Sequence, residues 1–317
     1  MKKLNSTGLL GLNRRNASYS SVWNDSQHLA RADDKLKAKA MLQEIEIPVP
    51  ETYSVIEHQF EIRSFQDAKL PQSFVVKPAR GREGRGILVI ESHTDGVWRK
   101  KNSQLLSRLE WELHLANILA GLYSLGGRSD RVFFEYCTEC HDVFSEVTYQ
   151  GTPDIRILVY RGVPVAGMLR LPTKESDGRA NLHQGAIGVG IDMAEGVSLH
   201  GVHHSRYTDI HPDTRKPVKG IRIPFWKNIV EIAVKTYSVF QLGYAGVDFV
   251  VDKLRGPMIL EVNGRPGLAI QLANRIGLLD RLNAVDAYGK SIEEKTWQER
   301  LHIFNELLID SVHRIPR

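Results

Sequence analysis

Two stretches near the C-terminal end, "GVDFVVD" (246–252) and "PMILEVN" (257–263), carry the side chains best suited to chemistry. Both are β-branched, alternating runs, and the "KLRG" between them reads as the loop of a hairpin. If those four residues form the loop, Asp252 pairs with Pro257 and Asp248 falls opposite Glu261. Their side chains are then ~5 Å apart on one face. Asn263 shares that face, while Val247, Phe249, Val251, Leu260 and Val262 make the other face apolar. Two opposed carboxylates destabilise a sheet unless a cation lies between them. Two anionic oxygen ligands and one amide oxygen suit a hard cation such as Mg2+, which is held by one or two carboxylates together with substrate phosphates. A solvated polar face with incidental acids has the same pattern, and a one-residue slip would break the pairing.

Phosphates would need their own cradle. "GREGRG" (81–86) sits between two β-branched runs, "SFVVKPAR" and "ILVIE", and reads as a hairpin tip. Backbone N–H groups around Gly81, Gly84 and Gly86 can wrap a polyphosphate, with Arg82 and Arg85 adding charge. Neither G-x-G-x-x-G nor G-x-x-x-x-G-K-[ST] occurs, which argues against a Rossmann or P-loop enzyme. Lys77, ending the strand before Pro78, is either a snorkelling surface residue or a phosphate ligand. Arg265, beside Pro266 and Gly267, either clamps a substrate carboxylate or makes a structural salt bridge. Asp154 and Arg156 read as a pair with each other or with a neighbour. With a two-residue turn at 161–162, Arg156 and Arg170 fall on opposite sheet faces.

Two other clusters are weaker. "CTECH" (137–141) matches the haem-attachment pattern, but both Cys137 and Cys140 follow an apolar strand and no second cysteine pair exists, so two neutral thiols are expected. His200, His203, His204 and His211 lie in a Gly-rich loop and read as loop packing or substrate contact ahead of metal binding.

Stepping outward, the elements that must hold these residues alternate without a βαβ train. Residues 1–24 read as an exposed polar arm, and a helical pattern runs from Asp25 through "QHLARADDKLKAKAMLQEI" until "IPVP" stops it. An extended "ETYSVI", the 73–91 hairpin and a helix over 103–123 follow. Strands are expected at 131–137, 154–160 and 163–170, then long loops with short strands through 171–220. A helix at 225–241, the final hairpin, a short helix from 268 and a tail helix over 292–313 complete a mixed α+β chain.

At 317 residues, 42% hydrophobic and 25% charged, the chain has the composition of a globular protein. No apolar run approaches the ~20 residues of a membrane span. The N-terminus lacks the apolar stretch of a signal peptide, so a cytoplasmic location is expected. Net charge is +5 with no cationic run longer than "WRKK", which leaves no footprint for nucleic acid.

The ordered set "DDKLKAKAMLQEIEIPVPET", "FVVKPARGREGRGI", "FFEYC", "DIRILVYRGVPVAGMLRLP", "NLHQG", "GVDFVV" and "ILEVNGRPGL" resembles the ATP-grasp ligases, most closely the RimK-related α-L-glutamate ligases and ligase-like proteins. The match covers residues 33–280 and is specific because the seven motifs keep their order. The resemblance implies an ATP-grasp fold, two α+β subdomains gripping ATP between antiparallel sheets, with little or no N-terminal pre-ATP-grasp domain. It implies an arm at 1–32, a lid-bearing subdomain at 33–134, a Mg2+-binding subdomain at 135–290 and a C-terminal helix at 291–317. Lys35 and Lys77 would then contact nucleotide phosphates, with the 81–86 hairpin as lid. Glu135, Tyr136 and Cys137 would hold adenine through backbone groups, and Glu139 or Asp142 the ribose. Arg170 would meet the γ-phosphate and the developing acyl phosphate, with Asn181 near the same centre. Asp248, Glu261 and Asn263 match the Mg2+ ligands. The implied cofactors are ATP and Mg2+, two ions, with Mn2+ able to substitute. The implied activity is carboxylate–amine ligation through an acyl phosphate, adding an amino acid such as glutamate to a peptide or small amine. A small-molecule kinase and a catalytically silent nucleotide-binding subunit are the alternatives. A second copy or a partner protein would compensate for a missing N-terminal domain.

Overall fold

The computed structural model describes residues 8–65, 69–81 and 84–312. Its backbone divides into two compact units, a smaller one of Asp34–Leu36 with Val49–Glu139 and a larger one of Met1–Asp33, Lys37–Pro48 and Cys140–Arg317. Among the described residues no helix is long and apolar enough to cross a membrane.

Residues 12–23, expected as part of an irregular exposed arm, are mostly exposed but regular. They form one helical run, α-helical at Leu12–Arg14, π-helical at Arg15–Ser20 and α-helical again at Ser21–Trp23. Arg15, Tyr19 and Ser20 are buried along it, a spacing that fits the wider turn of a π-helix. Tyr19 packs on Tyr160 and Tyr244 with ring centroids 5.5 and 5.9 Å away. Asn24 then donates to the carbonyls of Tyr244 and Gly264 at 2.8 and 2.7 Å.

The single helix expected from Asp25 onward is two. Asp25 caps α1 (Ser26–Ala32) by accepting from the Gln27 N–H, and α2 (Lys35–Gln43) follows after a break. The break has a cause within the smaller unit. The Asp34 carboxylate is gripped by Arg131 at 2.7 and 2.8 Å, and the Lys35 N–H bonds to the Ala79 carbonyl instead of a helical one.

The smaller unit carries six strands: β1 (Thr52–Ile56), β2 (Phe74–Pro78), β3 (Leu88–Thr94), β4 (Val97–Lys100), β5 (Leu105–Leu106) and β6 (Val132–Tyr136). They form an antiparallel sheet in the order β1-β6-β2-β3-β4-β5. β2 and β3 make the expected hairpin around the glycine-rich tip. The helix expected over 103–123 is shorter, α3 (Arg108–Leu119), because Ser107 and Glu110 close a capping box at its start. α3 drives Trp111, Leu115 and Ile118 into a core with Phe74, Val76 and Phe134, where Trp111 stacks on Trp98 at 4.5 Å.

The larger unit holds a seven-stranded antiparallel sheet built from β7 (Asp154–Tyr160), β8 (Val163–Leu171), β9 (Ile187–Asp192), β10 (Val197–His203), β11 (Arg206–Thr208), β12 (Tyr244–Asp252) and β13 (Gly256–Asn263), ordered β11-β10-β9-β8-β7-β12-β13. Residues 171–220, expected as mostly loop, therefore contribute three strands. Their glycines serve close packing: a Cβ on Gly190 would stand 2.4 Å from the Ala273 carbonyl oxygen. That carbonyl belongs to α5 (Ala269–Asn274). α4 (Trp226–Phe240) precedes β12, and α6 (Leu279–Asp286) and α7 (Trp297–Val312) follow α5. The tail helix starts later than expected because residues 290–294 form a 3-10 turn.

Two one-residue bulges set the register where β7 meets β8 and where β12 meets β13. β7 and β8 meet at a two-residue turn, with Arg161 and Gly162 both at positive φ. Leu158 then faces Ala166 while Val159 faces Pro164, so Val165 is the extra residue. In the last hairpin Asp252 pairs with Gly256 rather than Pro257, so the turn has three residues, Lys253 to Arg255, and not four. The Asp252 carboxylate accepts from the Leu254 and Arg255 N–H groups at 2.9 and 2.8 Å to hold it. A bulge at Leu260 then restores the offset, and Asp248 stands opposite Glu261.

Candidate active site

The Val165 bulge decides which residues meet. It pairs Asp154 with Arg170 and Arg156 with Met168, which brings Arg156 and Arg170 to the same face and corrects the expectation that they diverge. β12 lies against β7 in unbroken register, with Asp248 opposite Arg156. Four charges converge there. Arg156 donates to Asp248 at 2.7 and 2.6 Å, Arg170 donates to the same carboxylate at 2.7 Å, and Arg170 also grips Asp154 through two bonds. The Asn263 amide Nδ2 completes the set, 3.2 Å from Asp248.

The cluster is almost dry, with Asp248 4% exposed and Asp154 7%. Burial drives the Asp248 carboxyl up, but Arg156 and Arg170 more than offset it and hold the group below its ordinary value. Asp154 differs: burial pushes it up to about 7, Arg170 only partly countering and Asp248 adding repulsion. Burial would lower the Arg170 pKa, yet Asp154 and Asp248 hold it above its ordinary value, so Arg170 stays charged.

A carboxylate offers about four lone-pair positions. At Asp248 three bonds come from guanidinium groups and one from Asn263, so the cation expected between Asp248 and Glu261 is partly replaced by arginine. The donor set still fits a hard ion. Glu261 is half-buried directly across from Asp248, and Asn263, donating through Nδ2, keeps its oxygen as a ligand atom. A cation bound by all three would exchange with an arginine at Asp248.

The other site residues anticipated in this unit lie apart from that cluster or at its margin. Asn181 caps the 3-10 turn Leu182–Gln184 by accepting from the His183 N–H at 2.9 Å. Arg265 is exposed in the turn after β13. Pro266 of that turn folds over β12 so closely that a Cβ on Gly246 would lie 2.8 Å from its ring and 3.5 Å from Arg156. Asp142 is exposed and ion-paired with Lys253 at 2.8 Å. The histidines separate by role. His211, fully buried, bonds the Pro172 carbonyl, and His200 pairs with Asp209. His203 and His204 lie with Glu175, their ligand atoms within 4.8 Å of one another. His203 Nε2, however, donates to the Gly185 carbonyl at 3.0 Å, so that nitrogen is a donor and not a ligand.

The smaller unit gathers a second group. Lys77 and Glu135 share a sheet face and form an ion pair with Glu135 4% exposed. Lys35, the first residue of α2, donates through Nζ to the Gly81 carbonyl at 2.6 Å, tying it to the start of the glycine-rich tip. Gly84 and Gly86 have positive φ, and His114 of α3 donates to the Gly86 carbonyl at 3.0 Å. A Cβ on Gly86 would meet the Tyr123 ring at 2.6 Å. Arg82 lies outside the described residues. Tyr136 closes β6 and its N–H bonds the Glu51 carbonyl. Cys137 follows, its thiol pKa pushed up by burial, and neither it nor Cys140 is in a disulfide.

Asp154 and Arg156 are the members that sequence reasoning undervalued. The signal was Pro164: proline inside a strand is confined to edges and bulges, and β8 is central, so a bulge near it was required.

The chain is 25% identical over 282 residues to the ribosomal protein bS6–L-glutamate ligase of Shigella boydii serotype 4 (strain Sb227), covering 87% of this chain and 67% of that protein. It is 25% identical over 260 residues to a probable alpha-L-glutamate ligase of Legionella pneumophila (strain Corby), covering 82% and 64%. The chain thus spans about two thirds of the length of these curated relatives. Among solved structures, the VanG D-Ala:D-Ser ligase of Enterococcus faecalis aligns over 83% of this chain and 64% of its own, at 14% identity and a TM-score of 0.48. A family model described as sugar-transfer associated ATP-grasp matches residues 14–287, and the chain belongs to that ATP-grasp family.

Proposed function

We propose that the chain is an ATP- and Mg2+-dependent carboxylate–amine ligase that joins an amino acid, glutamate being the leading candidate, to a peptide or small amine. The observation that carries this reading is the charge cluster of Asp248, Arg156, Arg170 and Asn263, set opposite Glu261 on one sheet face. Family membership and the names of the two relatives, both glutamate ligases, support it.

In this reading Lys35, Lys77 and the tip glycines Gly81, Gly84 and Gly86 contact nucleotide phosphates, and backbone groups at Glu135, Tyr136 and Cys137 take the adenine. Asp142, once released from Lys253, takes the ribose. Asp248, Glu261 and Asn263 hold Mg2+, one or two ions, which neutralises phosphate charge when bound. A substrate carboxylate attacks the γ-phosphorus and ADP leaves, giving an acyl phosphate. An amine then attacks the acyl carbon, phosphate departs and an amide forms. Arg170, fixed by Asp154, neutralises the transferring phosphoryl group, with Asn181 and Arg265 at the substrate side. No side chain acts as nucleophile, so positioning and charge neutralisation are the protein's whole task.

The test is ADP release with amino acids and a cell extract as substrate source, comparing wild type with Glu261→Ala. Wild type should release ADP and phosphate only when an amine is supplied, and a phosphorylated end product would favour a kinase instead. Glu261→Ala should stop turnover while changing stability by no more than about 1 kcal/mol. Full turnover in Glu261→Ala would end the Mg2+ assignment, and nucleotide binding without turnover in wild type would point to a regulatory subunit.

A further inference from the structure

Arg15 is a poorly compensated buried charge in the larger unit. It is 7% exposed, donates once, through Nη1 to the Pro266 carbonyl at 3.2 Å, and its Nε has no hydrogen-bond partner. No carboxylate of the described residues lies within ion-pair distance of it. A buried guanidinium whose Nε meets no acceptor and which faces no carboxylate is costly unless something anionic meets it. Burial lowers its pKa, Tyr244 opposes that shift and Arg265 adds to it, which places both residues in its electrostatic neighbourhood. The Tyr244 hydroxyl is likewise buried and without a partner, with the whole residue 0% exposed.

The position of these groups is informative. Tyr244, Gly246 and Asp248 alternate along β12 and share one sheet face. Tyr19 covers the Tyr244 end, Pro266 covers Gly246, and Arg156 meets Asp248. Gly246 is two residues from Asp248, roughly 7 Å along the strand, and Tyr244 is roughly 13 Å away. The turn that Arg15 holds has exposed neighbours on both sides, Arg265 and Gly267, so the guanidinium lies one layer beneath solvent.

We infer that Arg15 and Tyr244 form a receptor for a carboxylate of the substrate, the non-reacting carboxylate of an amino acid or short peptide whose reacting end lies at Asp248. The guanidinium fork matches a planar carboxylate, and the phenol adds a third, neutral donor. One buried positive charge suits a monoanion better than a dianionic phosphate. The π-helical turn is what makes this arrangement, since it puts Arg15, Tyr19 and Ser20 on the buried side together. The identity of the carboxylate as substrate rests on the ligase reading, whereas the receptor itself does not.

Calorimetric titration of the full chain without nucleotide tests it, using L-glutamate, L-alanine, L-alaninamide and inorganic phosphate. The expected result is binding of the two carboxylates, at least tenfold weaker binding of L-alaninamide and phosphate, and at least tenfold weakening of carboxylate binding by Arg15→Met. Tyr244→Phe should weaken it severalfold. Arg15→Met should melt no lower than wild type, because it removes an uncompensated charge. Equal binding by wild type and Arg15→Met, equal binding of L-alaninamide, or no carboxylate binding by wild type would each overturn the proposal, as would phosphate outcompeting the carboxylates. So would a lowered melting temperature in Arg15→Met with unchanged binding, which assigns Arg15 to holding the turn. A ligase reading that fails shows as absent ADP release with the Arg15 dependence of carboxylate binding intact.

Discussion

The buried charge cluster makes a quantitative prediction through the cycle of Arg156→Met and Asp248→Asn. With both acids ionised, Asp154, Asp248, Arg156 and Arg170 sum to zero charge, and each single substitution leaves one charge unbalanced in a nearly dry site. Breaking a buried pair by removing one partner costs about 3–5 kcal/mol when nothing else compensates. Arg156→Met takes two of the four bonds at Asp248 and leaves those from Arg170 and Asn263. About half of that penalty is therefore expected, ~2 kcal/mol. Asp248→Asn should cost a similar ~2 kcal/mol, because Arg156 loses its carboxylate while Arg170 keeps Asp154. The double variant restores neutrality and keeps the Arg170–Asp154 pair, so it should lose far less than the sum, with a coupling of about 2 kcal/mol. Urea unfolding of the four proteins measures this, and each single variant should also melt roughly 4–8 °C lower. Additivity within about 0.5 kcal/mol would refute the claim that these charges are mutually compensating.

Two further outcomes follow from local features. Burial lowers the pKa of His114 and of His211 below the ordinary 6.5, so both are held neutral in the folded chain. At these two positions the unfolded chain takes up protons first as pH falls, so they withdraw stability from about pH 6.5 downward, while Asp154, raised to about 7, acts in the opposite sense; in an Asp154→Asn background a melting temperature flat between pH 7 and 5 would contradict the histidine reasoning. Gly86→Ala should disturb the hairpin tip, because φ is +74° and the added carbon would meet the Tyr123 ring at 2.6 Å. Its nucleotide affinity should fall several-fold while the core of the smaller unit melts normally, and combining it with Tyr123→Ala should recover only the part due to the clash.

The sequence disclosed the pairing of Asp248 with Glu261, but through two compensating departures: the turn is one residue shorter than assumed, and the Leu260 bulge adds that residue back. Alternation and β-branching made β12 and β13 legible, as they did the hairpin of β2 and β3. Glycine misled at β9, where "IGVGID" resembles loop and instead allows the α5 backbone to approach. The helical run at 12–23 was illegible for another reason. Its buried charge is held by a partner more than 200 positions away, the Pro266 carbonyl bonded by Arg15. Local composition carries no trace of a contact at that distance. Asp154 and Arg156 lay between these cases, since Pro164 announced a bulge whose effect on side-chain facing could have been worked out.

The bulges at Val165 and Leu260 also bear on how this chain tolerates change in length. Each strand stores part of the charge cluster as a residue count, because inside and outside alternate with every position. Replacing Val165 or Leu260 alters only a side chain that faces no partner across the ladder. Deleting either residue would leave a regular ladder with the same cross-strand partners, Arg170 still opposite Asp154 and Glu261 still opposite Asp248. A deletion in β7 or β12, which carry no extra residue against each other, would instead shift the pairing by one position and turn Arg156 or Asp248 to the other face. The bulges are the places where these strands can give up a residue and keep the charges together.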